Sequence, residues 1–405
     1  MKINFARSME HWFGIPICFV LSVFCRIKKF FIPERFEKIK PKKIMFLELS
    51  EMGSAILAYS AIKKTKEMYP QAKLYFWIFK ENQDSVHILD IIPKENVIVM
   101  RSNNFSSLII DTIKNLWRVR REKIDVLIDM ELFSRFSSAL SYLSGAKIRV
   151  GFHRFSAEGL YRGNLQTHKV SYNPYMHISK DFLALVNSLK ANSQNVPLLK
   201  ESITNSETIV PKVKSSEEVK ENIFRKLKEF NGQISKESKL IVLNPGINET
   251  LPLRKWPIKN YIELSKKLLI NPSVFVIIVG VESKVLGNGE VMHQEISNSR
   301  FINLIGKTSV KELICLYNIS TLLISHDSGA VNLASLTEIN IVVLFGPETP
   351  SLYAPLTSKK IVLYSNLACS PCITAYNHRH SQCRDNQCLK RITVEEVYKS
   401  AERYI

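Results

Sequence analysis

Ile324-Ser325-His326-Asp327-Ser328-Gly329-Ala330-Val331-Asn332 is the stretch on which the reading of this chain turns. Its first residues close a short apolar run, Thr321–Ser325, that reads as a buried strand. Asp-Ser-Gly then opens an apolar segment, Gly329–Leu336, with helical spacing. A strand, a tight polar turn and a helix make half of a βαβ unit. Outward in both directions the alternation continues. Leu240–Leu243, Ser273–Gly280 and Asn340–Phe345 read as strands, and Pro257–Leu269 and Val310–Asn318 as helices. Nearer the N-terminus, Lys43–Leu49, Lys73–Phe79, Asn96–Met100 and Lys123–Asp129 repeat the strand signal, separated by helix-length amphipathic stretches. Continuous apolar strands alternating with helices imply parallel sheets covered on both faces.

Two such arrays predict a two-lobed α/β protein. The expected boundaries are an N-terminal segment 1–41, a first lobe 42–190, a polar linker 191–238 holding one helix (Ser216–Phe230), a second lobe 239–366 and a tail 367–405. The tail ends in a helix, Thr393–Tyr404, capped by Thr393 with Glu396 at the capping-box position. Apolar residues at 45% and charged residues at 23% exclude a disordered or fibrous chain. Seven cysteines in 405 residues are too few for a disulfide scaffold. Lys and Arg number 56 against 37 Asp and Glu, so the net charge of +19 favours anionic partners. No nucleic-acid reading motif accompanies the basic residues, which argues against nucleic acid as the partner.

Open α/β sheets bind ligands at the carboxyl ends of their strands. Two such ends in the second lobe carry suitable chemistry. Asn244-Pro245-Gly246 follows a strand and leads through Asn248 and Thr250 to Arg254-Lys255-Trp256-Pro257. Gly246 permits close backbone approach, and Arg254 and Lys255 suit a diphosphate. At the other end, Asp327, Ser328 and Gly329 direct free backbone N–H groups and a hydroxyl toward an anion, with Asn332 one turn on. A simple N-cap is the competing explanation of Asp-Ser-Gly. Leu344-Phe345-Gly346-Pro347-Glu348-Thr349-Pro350 closes the next strand with a rigid turn.

The order NPG…RKWP…HDSGAVNLA…VLFGPETP resembles the donor-binding half of family 9 glycosyltransferases, the ADP-heptose:lipopolysaccharide heptosyltransferase group. The first lobe agrees in its Glu51-Met52-Gly53 turn, in the run Ile128 to Arg135 and in Gly145 to Gly151. The resemblance covers about residues 42–400. It implies a GT-B fold, with two Rossmann-like lobes facing a central cleft, and inverting transfer of a heptose-like sugar from a nucleotide diphosphate to a lipopolysaccharide-core or other lipid-linked acceptor. It also implies an ADP-heptose-like co-substrate, no divalent metal and a cytoplasmic location.

Two positions depart from the family's pattern. Ser54 stands where the family has the Asp that activates the acceptor, and Asn332 stands where its D-[ST]-G-x-x-H pattern has His. These departures leave open a non-catalytic nucleotide-sugar or glycan-binding protein of the same fold. Inverting transfer needs a base, and Ser54 alone cannot supply one. Glu51 in the same turn and Glu131, two residues past the strand-end Asp129, are the expected candidates, with Glu158 third. Gly53 and Ser54 are expected beside the acceptor, as are Arg135, Arg154 and Arg162, whose planar guanidinium groups suit phosphates or carboxylates.

Two segments add further expectations. Cys369, Cys372, Cys383 and Cys388 lie within 20 residues, with His378 and His380 between them. A structural zinc, reduced thiols and disulfides are all compatible with this spacing. Trp12–Cys25 is a run of 14 uncharged residues, too short to span a bilayer. From Arg26 to Lys43 there follow eight Lys or Arg and two Glu. An apolar wedge before a basic segment suits peripheral contact with an anionic membrane. A helix packed on the body of the protein, or a signal segment, are the other readings.

Overall fold

The structure, a computed structural model, describes residues 3–31, 40–156, 159–191, 195–246, 251–281 and 288–405. The chain forms two units. The first comprises Met1–Ile209 and Thr374–Arg379, the second Val210–Ile373 and His380–Ile405.

The first unit holds six parallel strands: β1 (Lys43–Leu47), β2 (Lys73–Phe79), β3 (Val97–Met100), β4 (Val126–Asp129), β5 (Ile148–Phe152) and β6 (His168–Val170). Their spatial order is β3-β2-β1-β4-β5-β6. The second unit holds β7 (Lys239–Asn244), β8 (Val274–Ile278), β9 (Phe301–Asn303), β10 (Leu322–His326), β11 (Asn340–Phe345) and β12 (Lys360–Tyr364), in the order β12-β11-β10-β7-β8-β9. Counted from its own first strand, each sheet has the dinucleotide-fold order 3-2-1-4-5-6. The direction of winding therefore reverses between β1 and β4 in one unit and between β7 and β10 in the other.

Chemistry explains why these strands form. Met45-Phe46-Leu47, Val242-Leu243 and Val342-Val343-Leu344 are buried on both faces, so apolar residues continue without alternation. One face of the first sheet packs Met45, Leu47, Trp77, Ile98 and Leu127 against Val119 and Leu140 of the overlying helices Phe105–Glu122 and Arg135–Leu143. In the second unit Trp256, Tyr261 and Leu264 join β7, β8 and the C-terminal helix Val394–Glu402 in one core. Thr393 and Glu396 form the expected capping box on that helix.

Three expected boundaries change. The stretch 191–238 is no free linker: the first unit ends at Ile209, and the helix Glu217–Phe230 buries Ile223 and Leu227 within the second unit. The tail is not one piece. Residues 374–379 join the first unit because Tyr376 packs on Phe133 and Tyr172, each at 5.8 Å between ring centroids. The segment 1–41 is not separate either. Its described part forms two helices, Ile3–Trp12 and Gly14–Phe31, packed on the first unit, with Pro16 in a first turn where its missing N–H costs nothing. Glu10 accepts bonds from Ser134 Oγ and the Arg135 N–H, both at 2.8 Å, and Ser22 Oγ accepts one from the Asn164 N–H at 2.7 Å. Among the described residues no helix is long and apolar enough to cross a membrane. Much of the basic connector, residues 32–39, lies outside the described residues.

Candidate active site

The expected site residues gather at the two points where the strand order reverses. In the second unit, β7 ends at Asn244, whose Oδ1 accepts a bond from the Gly246 N–H at 3.1 Å. Gly246 has φ +57°, and a side chain there would overlap the His326 ring. Both facts explain the glycine. His326 ends the neighbouring β10 and is buried. Burial, then Arg254 and Lys255, push its imidazole down to about 3, so it is neutral at physiological pH.

Arg254 reaches this point from the 3₁₀ turn Pro252–Arg254. Trp256, two residues later, is fully buried and donates from Nε1 to the Ile392 carbonyl at 2.9 Å. Asn386 Nδ2 bonds the carbonyls of Leu253 and Lys255 at 3.0 and 2.9 Å. The Arg254 guanidinium pairs with Glu348 and lies 3.6 Å from Asp327 Oδ2. Burial opposes its charge, and the two carboxylates more than offset that, leaving it firmly cationic. Two buried acids thus share one arginine. Burial pushes the Glu348 carboxyl up to about 7, the Asp327 charge adding to the shift and Arg254 opposing it.

Ser328 is extended, and the short helix Gly329–Ala334 follows it. The Ser328 side chain makes no cap bond; its Oγ sits 3.3 Å from Ser325 Oγ. Ser328 thus holds the N-cap position, but its side chain does not bond the helix. Asn332 is buried, and its Oδ1 has no hydrogen-bond partner among the described residues; nor has Arg254 Nε. Buried polar atoms are rarely left unpaired, and both atoms stand where the sequence places the donor. Asn248 and Thr250 lie outside the described residues.

In the first unit, β1 leads into a helix, Met52–Leu57, so Gly53 and Ser54 sit in a buried first helical turn rather than an open loop. Ser54 Oγ donates to Glu51 Oε2 at 3.0 Å, and Arg379 pairs with Glu51 Oε1. A carboxylate therefore stands beside the serine after all, delivered from three residues upstream.

Glu131 is different. Its Oε1 accepts from the N–H groups of Leu49 and Ser50 at 2.8 and 3.0 Å and from Ser50 Oγ at 2.6 Å. It fastens the exit of β1, so its expected role as a base gives way to a structural one: β4 adjoins β1, and the turn's donors would otherwise lack partners. Glu158 lies outside the described residues.

The three arginines expected at an acceptor also divide. Arg162 is 2% exposed and pairs with the fully buried Asp129. Arg135 is 3% exposed; its Nε donates to the Tyr161 carbonyl at 2.8 Å and its Nη1 is 3.0 Å from His378 Nε2. Both are committed to the interior, which corrects their assignment. Arg154 is exposed, stands over the Tyr161 ring at 5.8 Å, and lines a cavity of about 210 Å³ with Phe133, His153, Phe155, Tyr172 and Tyr376.

Sequence reasoning assigned no role to Glu348, Arg379 or Asn386. Glu348 left a signal, an acid just past β11, next to β10. Arg379 left none, because no local pattern links it to Glu51. The seven cysteines are free thiols, and no group of three or more His, Cys, Asp or Glu comes together to hold a metal among the described residues.

Comparison with known proteins bears on the family and the fold. The family model described as glycosyltransferase family 9 (heptosyltransferase) matches residues 113–381. Lipooligosaccharide heptosyltransferase 2 of Haemophilus influenzae is 23% identical over 193 residues, 44% of this chain and 55% of that protein. Lipopolysaccharide heptosyltransferase 2 of Salmonella typhimurium is 30% identical over 132 residues, 32% of this chain and 37% of that protein. The chain thus matches about half or less of the length of these two relatives. Lipopolysaccharide core heptosyltransferase OpsX of Haemophilus influenzae is 22% identical over 322 residues, 78% of this chain and 82% of that protein. Among solved structures, E. coli ADP-heptose LPS heptosyltransferase II superposes with a TM-score of 0.67 at 19% identity, covering 89% of this chain and 98% of that one. That likeness is one of fold, the two-lobed α/β arrangement of the GT-B type. The family model spans well over half of the chain, and the paired Rossmann sheets fit it: the chain belongs to glycosyltransferase family 9, the heptosyltransferase family.

Proposed function

We propose that this protein is an inverting glycosyltransferase that moves a heptose-like sugar from an ADP-heptose-like donor to a lipopolysaccharide-core or other lipid-linked acceptor. The observation that carries the donor half is the buried Arg254 beside Asp327 at the β7–β10 reversal, with Arg254 Nε and Asn332 Oδ1 unpartnered among the described residues. A diphosphate supplies acceptors for the arginine, and sugar or ribose hydroxyls supply donors for the asparagine. In the transfer the acceptor oxygen attacks the anomeric carbon, the bond from that carbon to the diphosphate breaks, and ADP leaves with the electron pair. Arg254 and Lys255 stabilise the departing charge, the work that a divalent ion does elsewhere. Glu51 takes the acceptor proton. It replaces the family's Asp from one helical turn away, and its bond from Ser54 fixes its rotamer. Among the accessible basic groups, Arg154 is assigned to the acceptor's anionic groups.

The acceptor is lipid-linked on this reading, so the protein works at the cytoplasmic face of its membrane, with the 1–41 segment touching anionic lipid. The test is turnover of ADP-heptose with candidate core acceptors. Glu51→Gln should lose at least a hundredfold in kcat with ADP affinity unchanged, and turnover should persist in excess chelator. Wild-type turnover in the Glu51→Gln variant removes Glu51 from the mechanism. The Ser54 and Asn332 departures favour a second reading, a binding protein; tight ADP-heptose binding with neither transfer nor hydrolysis would establish it.

A further inference from the structure

The first unit exposes two apolar helix faces, and they lie on the same side of its sheet. The helix Phe105–Glu122 turns Leu108, Leu116 and Val119 inward onto the sheet. Its opposite face carries Phe105, Ile109, Ile110, Ile113 and Trp117, with Ile113 65% and Trp117 64% exposed. A surface helix normally shows polar residues there. The helix Gly14–Phe31 is built the same way. Small residues face inward: Cys18 Sγ meets the Arg135 carbonyl at 3.5 Å, and a Cβ on Gly14 would come within 3.0 Å of the Arg135 side chain. Outward stand Phe13, Ile17, Phe24, Phe30 and Phe31, preceded by Trp12.

Register and packing put the two helices in one layer. Arg120 Nε of the first donates to the Leu143 carbonyl, the last residue of the helix Arg135–Leu143, at 2.7 Å. The second packs on that same helix through Cys18 and Tyr142. It also reaches β6, where burial and the nearby Lys29 hold the Lys169 ammonium below its usual range. The pairings Leu127–Arg149 and Gly151–Lys169 put Lys169 on the sheet face that Leu127 shares with Met45 and Trp77. Both apolar stripes therefore look away from that face, one on either side of the helix Arg135–Leu143.

Charge decides what covers them. The basic groups beside the stripes are Lys114, Arg118 and Arg121 on one helix and Arg26, Lys28 and Lys29 on the other. Arg121 sits over the Trp117 ring at 5.4 Å. The acids of the helix Phe105–Glu122 are spent elsewhere: Asp111 pairs with Arg101 at 2.7 Å and Glu122 with Lys43 at 2.8 Å. The helix Gly14–Phe31 has no acid at all. Aromatic and aliphatic side chains beside Lys and Arg, with no unpaired carboxylate on either of the two helices, match the surface of an anionic bilayer. Contiguous exposed apolar faces rimmed by polar residues mark interaction or membrane-contact sites.

We propose that helix Phe105–Glu122 is a second membrane-contacting element, which with helix Gly14–Phe31 seats the first unit flat on an anionic lipid surface. The proposal deepens the membrane part of the function above and is independent of the transfer chemistry. It differs from anchoring by the N-terminal segment alone, because it requires Trp117 to enter the headgroup region.

The tryptophans make this directly measurable. Trp77 and Trp256 are fully buried, so in a Trp12→Phe variant Trp117 is the only exposed indole among the described residues. Vesicles of phosphatidylglycerol and phosphatidylcholine with brominated acyl chains should quench that variant's exposed fluorescence, and chains without bromine should not. In the otherwise unchanged full chain, Ile113→Glu with Trp117→Glu should weaken cosedimentation with these vesicles by roughly tenfold, with thermal unfolding and oligomeric state unchanged. Lys114→Ala with Arg118→Ala should remove part of the salt-sensitive binding. No bromine quenching while the protein is vesicle-bound overturns the proposal, as does wild-type cosedimentation of the Ile113/Trp117 variant. A stable dimer in solution that the same variant dissociates also overturns it, assigning the stripe to a second copy. Loss of binding only on deleting residues 1–40 leaves the N-terminal contact standing and removes helix Phe105–Glu122.

Discussion

The two strand-order reversals share a topology and differ in their chemistry. Between β1 and β4 the chain collects acids: Glu48, Glu51, Asp129 and Glu131, of which Asp129 and Glu131 are buried and closed off by internal partners. Between β7 and β10 it collects Arg254, Lys255 and a neutral His326, and leaves Arg254 Nε and Asn332 Oδ1 without partners among the described residues. The proposed diphosphate site keeps single polar atoms unpaired among the described residues, Arg254 Nε for one, although Glu348 and Asp327 neighbour the rest of that guanidinium. A site that removes a proton keeps one carboxylate within reach and uses its other acids to hold the frame. Position in the fold alone does not tell a ligand-facing side chain from a supporting one; the state of its hydrogen bonds does.

The difference can be broken most severely on the supporting side. Arg162→Ala leaves Asp129 buried in the core of the first unit without its cation, and removal of one partner from such a pair costs about 3–5 kcal/mol. Thermal unfolding should show a large loss of stability, whereas ADP affinity of the remaining folded protein should be nearly unchanged. A loss of less than about 1 kcal/mol would mean that this pair is not the interior clasp described here.

On the ligand side the expected loss is in binding. Gly246→Ala puts a Cβ into the His326 ring at a left-handed backbone position. Strain and displacement of this kind cost about 1–3 kcal/mol. ADP affinity should fall tenfold or more, measured by calorimetry, with the first unit unaffected. Unchanged ADP affinity would remove this turn from the donor site.

The smallest effect sharpens the comparison through pH. The Glu348 carboxyl is raised from 4.5 to about 7, chiefly by burial. The native protein therefore holds this proton at pH values where the unfolded chain has lost it. Its contribution to stability is complete below about pH 4.5 and fades as pH rises through about 7. Above that point the Glu348 carboxylate also stands charged beside the position proposed for the diphosphate. ADP affinity should weaken modestly from pH 6 to pH 8 in the wild type, and Glu348→Gln should flatten both this slope and the stability slope. Parallel slopes in the two proteins would show that Glu348 is not the titrating group.

Much of the fold was legible because its signals are local. β2 and β11 occupy the expected residues, and the Thr393 capping box is in place. β5 was harder to see, because Arg149 and Gly151 interrupt its apolar run. Arg149 lies buried there, satisfied by the Leu165 and Ala146 carbonyls at 2.8 and 2.7 Å. The turns proposed for the donor were legible as local structure for the same reason: Gly246, Arg254 and Asp327 each follow or precede a recognisable element. The acceptor side misled, because Arg135, Arg154 and Arg162 look alike in sequence, and only packing separates two buried arginines from one exposed one.

By itself the sequence determined the alternation of elements, the two parallel sheets and the family, since each rests on residue type and spacing along a few turns or strands. Tertiary structure alone decided which charges are free. Arg379 meets Glu51 across 328 residues of chain, and Arg254 meets Glu348 across 94. Whether a carboxylate is a base or a clasp depends on desolvation and on the partners that folding brings within about 4 Å, and no local pattern encodes those distances.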